Sequence, residues 1–241
     1  MDLNSLNFKL ILGITYLVIL VTGLYFLFSI VDINELTSYE FVKSNKDIFL
    51  KYKNNNFLFL TLIFFIFCIV WVLLLGFAMP LLLFSGFIFG KWWGILIVLT
   101  ATTIGATLLY VLAGFFFRNT IKKKLEPKFY KLKNFFAKNE LIYFTSFRFV
   151  GGGGTPYAIQ NVLPVLFDMS IKNYVVATFF GSFPSMFVTV SLGSGIEQVI
   201  DKNEALSFYT VLLSPEIYIP IIGFLIIFIV ALIIKRIYFK E

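Results

Sequence analysis

Several stretches of this chain run for twenty residues or more with almost no charge, and this feature restricts the fold more than any other. They are residues 8–30, 57–76, 94–117 and 208–234, with a fifth, 174–195, that is uncharged but contains Pro184. About 20 apolar residues carry a helix across a bilayer, where backbone polar groups must be satisfied internally. The sequence therefore predicts an all-α, polytopic integral membrane protein with about five transmembrane helices.

The overall composition excludes a water-soluble globular protein. Hydrophobic residues make up 59% of the 241 residues, charged residues 14%, and the mean hydropathy is +0.92. A soluble domain carries about a quarter charged residues, which it needs to cover its surface. The first apolar stretch is longer than the core of a secretory signal and no Ala-x-Ala cleavage pattern follows it, so we interpret it as a retained span.

Two further apolar segments, 79–93 and 141–167, are interrupted by residues that break helices. The breakers are Pro80, Gly86 and Gly90 in the first, and four consecutive glycines followed by Pro156 and Pro164 in the second. Interrupted backbone at membrane depth is tolerated where it is buried in protein or lines a wet cavity. We therefore predict two re-entrant hairpins.

The two segments correspond weakly to each other. Gly105 follows Pro80 by 25 positions, and Gly181 follows Pro156 by the same interval. Small residues four apart also accompany each glycine and allow close helix packing. Many transporters are built from inverted repeats whose broken helices meet near the midplane, so the pattern indicates either an inverted repeat or a chance agreement of two residues.

Charge divides the chain into three parts and orients it. We assign 1–56 to an N-terminal helix and polar loop, 57–195 to a membrane core, and 196–241 to a C-terminal helix and basic tail. The linker 118–140 carries eight cations against Glu126 and Glu140, which predicts a cytoplasmic location. Its apolar residues recur at roughly helical spacing, so it is either an amphipathic helix attracted to an anionic membrane surface or an ordinary basic loop.

The sequence offers few residues for catalysis or metal binding. It has no histidine, and Cys68 is its single cysteine. No disulfide can form within the chain, and the usual zinc and haem ligand sets are missing. We expect no metal, no cofactor, no enzymatic activity and no nucleic-acid partner.

Arg148 is the strongest candidate for a binding residue, because a charge within an apolar segment normally faces the bundle interior or water. Its guanidinium could hold a phosphate in a bidentate fork, and N–H groups of Gly152 and Gly153 could add an anion-binding nest. Thr155 and Asn161 complete the predicted head-group site. Two alternatives stay open: Arg148 could extend to the cytoplasmic interface, and Asn161 could cap the hairpin backbone.

The order of these motifs resembles a known family. The residues that carry the resemblance are Pro80, the run Ser85-Gly86-Phe87-Ile88-Phe89-Gly90, Gly94, Gly105, Arg118, Arg148, Pro156, Asn161, Gly181, Pro184 and Leu192-Gly193. Together they are similar to the DedA / SNARE-associated Golgi family, whose core is the VTT domain, over about residues 74–195. The resemblance implies two facing re-entrant hairpins and movement of lipids between leaflets, such as undecaprenyl phosphate or phosphatidylethanolamine in bacteria.

One departure from that pattern bears on mechanism. DedA-type bacterial members carry acidic residues in or near the first hairpin, where they are thought to couple transport to protons, whereas residues 79–93 contain none. The resemblance is therefore to the branch that includes Golgi and mitochondrial-type relatives.

These features together predict a flippase or scramblase of a phospholipid or polyprenyl-phosphate lipid. A secondary transporter or channel for a small ion or solute, and a non-transporting membrane scaffold, are the alternatives. An abundance of Phe, Ile, Lys and Asn is typical of AT-rich bacterial genomes. We therefore expect a multi-pass protein of a bacterial inner membrane, and leave its oligomeric state open.

Overall fold

The computed structural model describes residues 55–201, except the side chains of 130–135, 137, 138 and 197–201, together with scattered positions in 15–29 and 215–229. The helices of the continuous part are α1 (Phe57–Leu73), α2 (Ala78–Lys138), α3 (Glu140–Phe149), α4 (Tyr157–Val162), a 3₁₀ turn (Leu163–Leu166) and α5 (Ile171–Asp201). The described residues contain no strand, which confirms the all-α prediction. The predicted spans 8–30 and 208–234 lie mostly outside the described residues.

Helix α2 is not straight, because the chain reverses at Gly90. This residue has φ 73° and ψ 173°, a conformation that glycine adopts readily. Across the reversal the Ser85 hydroxyl donates a hydrogen bond to the Gly94 carbonyl at 2.8 Å. Nine residues of continuous helix would span about 13 Å. Residues 78–89, the short limb, therefore fold back against residues 91–128, the long limb.

Helix α1 and the long limb run parallel. The Phe57 ring lies 5.9 Å from that of Phe89 and 6.5 Å from that of Trp93, so both elements begin at the same level. Further along, Gly105 packs against Ile69. The first helical hairpin is therefore α1 plus the short limb (57–89), with its turn at 74–77. The predicted extent, 79–93, is therefore wrong, because the hairpin begins at residue 57.

The second half repeats this arrangement. Helix α3 rises, the glycine run turns the chain, and α4 with the 3₁₀ turn descends; α3, α4 and the 3₁₀ turn form the second hairpin (140–166). At its base, Glu140 accepts hydrogen bonds from the backbone N–H and hydroxyl of Ser170 and from Asn173, at the start of α5. Higher up, Gly181 of α5 packs against Thr145. Helices α3 and α5 are therefore parallel, and the second hairpin lies close to its predicted position.

The turns of both hairpins begin with matching backbone hydrogen bonds at positions 76 residues apart. Gly76 N–H donates to the Trp71 carbonyl at 2.9 Å, and Gly152 N–H donates to the Phe147 carbonyl at 2.8 Å. Leu75 has φ 59°, and its counterpart Gly151 has φ 68°. The two turns therefore begin with the same backbone conformation and diverge at the next residue, where Gly152 has φ 76° and its counterpart Gly76 has no positive φ.

Helix packing follows the same offset. A Cβ on Gly105 would lie 3.0 Å from the Ile69 carbonyl oxygen and 3.0 Å from the Val72 side chain. A Cβ on Gly181 would lie 2.7 Å from the Thr145 carbonyl oxygen and 2.8 Å from Arg148 Cβ. The correspondence seen in the sequence between Pro80–Gly105 and Pro156–Gly181 thus extends to contacts between helices.

The long limb and α5 are antiparallel to each other. Trp92 contacts Phe187, with ring centroids 5.3 Å apart, whereas Arg118 lies 2.6 Å from Asp168. Equivalent helices of the two halves thus point in opposite directions, as an inverted repeat requires. The described helices that are long and apolar enough to cross a membrane are two, one within Ala78–Phe129 and the other within Ile171–Ile196.

The first hairpin contacts α5 through glycines. A Cβ on Gly86 would lie 1.8 Å from the Val190 carbonyl oxygen, and one on Gly193 would lie 2.1 Å from that of Leu83. Gly86 was predicted to break the hairpin, but its backbone is helical and its role is close packing. Pro80 stands in the first turn of the short limb, where a missing N–H is tolerated.

The basic linker is helical through Lys138, with one departure from helical geometry at Phe129. The loop alternative is therefore wrong for the described part of the linker. Phe136 is buried, and its ring centroid lies 4.5 Å from that of Phe167 and 6.0 Å from that of Phe144. This aromatic contact holds the end of the linker against the second hairpin, and attraction to an anionic membrane stays a prediction.

Candidate functional site around Arg148

Arg148 lies in the last turn of α3, just before the glycine turn, and its side chain points into the core. Only 2% of it is exposed, and it is the largest fully buried side chain among the described residues. This location rules out the alternative that Arg148 extends outward to the interface. A cation at this depth needs compensation from its surroundings.

Amide and hydroxyl oxygens supply part of that compensation. One terminal guanidinium nitrogen donates to the Asn161 side-chain oxygen at 2.7 Å and to the Tyr174 hydroxyl at 3.2 Å, and the other donates to the Gln160 side-chain oxygen at 3.3 Å. Gln160 and Asn161 come from α4 and Tyr174 from α5. Arg148 therefore joins both limbs of the second hairpin to the helix that follows.

Aromatic ring faces supply a further part. The guanidinium carbon lies 5.0 Å from the ring centroid of Phe144, 5.8 Å from that of Tyr157 and 6.0 Å from that of Tyr174. Such contacts contribute about 2 kcal/mol or more when they are desolvated. The site is thus a cation enclosed by π faces and neutral oxygens.

No described carboxylate pairs with Arg148. Asp168, the nearest acid in sequence after the second hairpin, instead lies 2.6 Å from Arg118 and 2.9 Å from Lys122. Partial burial acts to raise the pKa of the Asp168 carboxyl, but hydrogen bonds from Lys122 and Arg118 outweigh it and hold the pKa below its ordinary value. The two cations keep Asp168 ionised and leave Arg148 to neutral partners.

Among the described residues, Arg148 Nε is a buried donor with no hydrogen-bond partner. Asn161 Nδ2, the Tyr157 hydroxyl and Thr178 Oγ1 also lack a hydrogen bond of good geometry, although Asn161 faces Tyr157 and Thr178 faces Tyr174. A buried donor that stays unpaired costs about 1 to 3 kcal/mol, more when it is charged. Arg148 and Asn161 are both donors at these atoms, so the arrangement fits an acceptor-rich group such as an anion.

The glycine turn relates differently to this site. Gly152 N–H already donates to the Phe147 carbonyl, so an anion could bind it only by breaking that bond. Gly153 is exposed with open space beside it, and the Thr155 carbonyl accepts a hydrogen bond from the Gln160 side chain at 2.7 Å. The structure thus brings Asn161 to Arg148, while Gly152, Gly153 and Thr155 shape the turn above it.

The two prolines of the second hairpin mark the borders of its descending limb. Pro156 is the N-cap of α4, and Pro164 stands at the start of the 3₁₀ turn. Both positions suit proline, which lacks a backbone donor. They fix where Gln160 and Asn161 face the guanidinium.

The first half has no matching charge. Val72 occupies the position equivalent to Arg148, 76 residues earlier, and Ser85 the position equivalent to Asn161. Val72 is fully buried, and the Ser85 hydroxyl bonds a backbone carbonyl. The polar site therefore belongs to one half of a nearly repeated architecture.

Sequence reasoning missed Gln160, Tyr174 and the ring faces. Gln160 stands next to Asn161, and two adjacent amides in an apolar segment were a usable signal. Tyr174 begins a predicted span and resembles an interfacial tyrosine in sequence. Only the fold brings it to Arg148, 26 residues earlier.

Comparison with known proteins gives a consistent family. The model of the VTT domain matches residues 76–195. The chain is 26% identical over 169 residues to a Transmembrane protein 41 homolog of Caenorhabditis elegans, covering 68% of the chain and 67% of that protein. It is 25% identical over 181 residues to a Transmembrane protein 41 homolog of Dictyostelium discoideum, covering 71% of the chain and 52% of that protein. No solved structure matches the chain.

Proposed function

Because the chain belongs to the VTT-domain family, we propose that it is a multi-pass membrane protein that moves a phospholipid or polyprenyl-phosphate lipid between leaflets. We further propose a bacterial inner membrane as its location, on composition alone. The lipid would pass between the two hairpins, with its head group bound at Arg148.

One observation carries this proposal: a permanently charged guanidinium is buried with its Nε–H unpaired and no described carboxylate beside it. A guanidinium binds phosphate oxygens through parallel N–H bonds. Arg148 Nε and Asn161 Nδ2 are donors of the kind such a phosphate would accept. A buried cation with a purely structural role would be expected to pair with an acidic side chain.

The arrangement of the hairpins supports a transport role as well. Helix α3 has 10 residues, about 15 Å of helix, which is too short to cross a bilayer. Its partner limb returns to the base of α5, so the second hairpin would enter and leave from one side. The first hairpin points the opposite way, and we propose that both are re-entrant.

The test is a leaflet-exchange assay with fluorescent phospholipids in proteoliposomes. Arg148→Lys keeps the charge but loses the planar fork, and we expect roughly a tenfold or larger loss of exchange. Asn161→Asp places a carboxylate next to Arg148, where the amide oxygen now lies 2.7 Å away. This variant retains a partner for the guanidinium but repels an anionic head group, so exchange should also be lost.

Folding must be separated from binding in this experiment. Thermal unfolding and size-exclusion profiles are compared for each variant. The control is Lys124→Arg, which replaces one cation by another at an exposed position. Wild-type exchange in both site variants would refute the head-group site. Passage of small ions without lipid exchange would favour the channel alternative, and neither activity would favour a scaffold.

A further inference from the structure

A second polar site lies at the base of the second hairpin, on the surface. An open cleft of about 340 Å³ lies between the C-terminal half of the long limb and the start of α5. Its walls are mostly apolar and include Val111, Phe115, Val165 and Ile171. Phe115 is 60% exposed and Ile171 54%, so the apolar walls open outward.

Charge collects at one end of this cleft. Arg118 and Asp168 line it, and Lys122 contacts Asp168 from the next turn of the helix. The three side chains are all partly accessible, at 52%, 46% and 31% for Arg118, Asp168 and Lys122 respectively. The cluster itself holds two cations and one carboxylate, a net charge of about +1, and the Glu140 carboxylate lies nearby, bonded to Ser170 and Asn173.

We propose that this cleft binds the phosphodiester of a membrane phospholipid, with phosphate oxygens at Arg118 and Lys122 and the start of an acyl chain along the apolar walls. The charge of a phosphodiester complements the excess of the cluster. Arg118 uses one terminal nitrogen on Asp168 and has further N–H donors that point in fixed directions. An apolar cleft with cations at one end matches a phospholipid, which has an apolar acyl chain and an anionic phosphate.

The cleft also adjoins the buried site. Tyr110 lines the cleft and stacks on Tyr174, with centroids 4.6 Å apart and planes 12° from parallel. The Tyr174 hydroxyl accepts the hydrogen bond from Arg148. Two stacked rings therefore lie between the surface cations and the buried guanidinium. The idea that lipid moves from this cleft to Arg148 rests on the proposed function. The binding of a phospholipid in the cleft does not depend on it.

The test uses a phospholipid with a photoreactive diazirine in its acyl chain, incorporated into proteoliposomes with the full chain. Labelled peptides should map to residues 111–118 and 165–171. Arg118→Gln with Lys122→Gln should lower this labelling roughly tenfold. Lys123→Gln with Lys124→Gln removes the same charge from exposed positions of the same helix and should leave labelling unchanged.

Three further arms make the result decisive. Inorganic phosphate at millimolar concentration should not compete; if it abolishes labelling, the cleft is a site for free phosphate and the proposal fails. Equal labelling in the two double variants would also overturn it. Arg148→Lys should retain labelling while exchange is lost. Labelling without exchange in the wild type would refute lipid transport but not this site.

Discussion

At the scale of single residues, Arg148 shows how far sequence can lead. A lone cation in an apolar, glycine-rich segment indicated a candidate site, and the structure places Asn161, another candidate residue, 2.7 Å from it. Its other contacts come from Tyr174 and from ring faces, whose positions depend on three helices meeting. The periodicity and composition of the sequence do not predict contacts between helices that are distant along the chain. The pairing of Asp168 with Arg118, 50 residues earlier, was equally inaccessible.

Gly86 supports a prediction at the same scale. A Cβ there would meet the Val190 carbonyl oxygen at 1.8 Å, so Gly86→Ala should destabilise the protein by about 1 to 3 kcal/mol or more, since the backbone of α5 must move. Gly114→Ala is the matched control in the same helix, where the nearest atom, of Val165, would be 3.8 Å away. Its stability should change by less than about 1 kcal/mol.

Thermal unfolding of the purified protein measures both variants. The apparent melting temperature of Gly86→Ala should lie well below that of the wild type and of Gly114→Ala. Equal melting temperatures for the two variants would mean that the first hairpin and α5 do not pack as described.

At the scale of elements, hydropathy located two described helices that are long and apolar enough to cross a membrane, but it did not predict the direction of the chain. Residues 57–76 pass the length criterion for a span. However, α1 ends at Leu73, the chain turns at Leu75, and the short limb returns beside α1. Leucine rarely adopts a positive φ, and the Gly76 that follows it was interpreted as the end of a span and not as part of a turn. In the second hairpin four glycines marked the equivalent turn plainly. Because equivalent positions of the two halves lie 76 residues apart, the glycine turn of the second half predicts the turn of the first half once this offset is known.

At the scale of the whole molecule, the two hairpins predict an unusual labelling pattern in single-cysteine variants on a Cys68→Ala background. Asn56 and Lys91 stand at the base of the first hairpin, and Asn139 and Lys172 at the base of the second. If each hairpin enters and leaves from one side, cysteines at 56 and 91 should react with an impermeant maleimide from one face. Those at 139 and 172 should react from the other, cytoplasmic face.

The same experiment distinguishes the hairpin from a crossing helix. A span over 57–76 that crosses fully would put positions 56 and 91 on opposite faces, and that outcome would contradict the re-entrant proposal for the first half. Permeabilised vesicles provide the control, since all four positions should then react equally.

The lack of a carboxylate beside Arg148 among the described residues has a thermodynamic consequence. Between residues 57 and 196 the chain has three acids, Glu126, Glu140 and Asp168, on the linker or at the base of the second hairpin. Asp168 has a lowered pKa and stays ionised at neutral pH, and a guanidinium does not release its proton. A lipid that crosses at Arg148 would thus exchange no proton with the site. An imposed pH gradient should leave the final lipid distribution between leaflets unchanged; accumulation in one leaflet would contradict this. On the proposed function, a protein without proton coupling at this site would dissipate lipid asymmetry when a pH gradient is imposed, and would not create it.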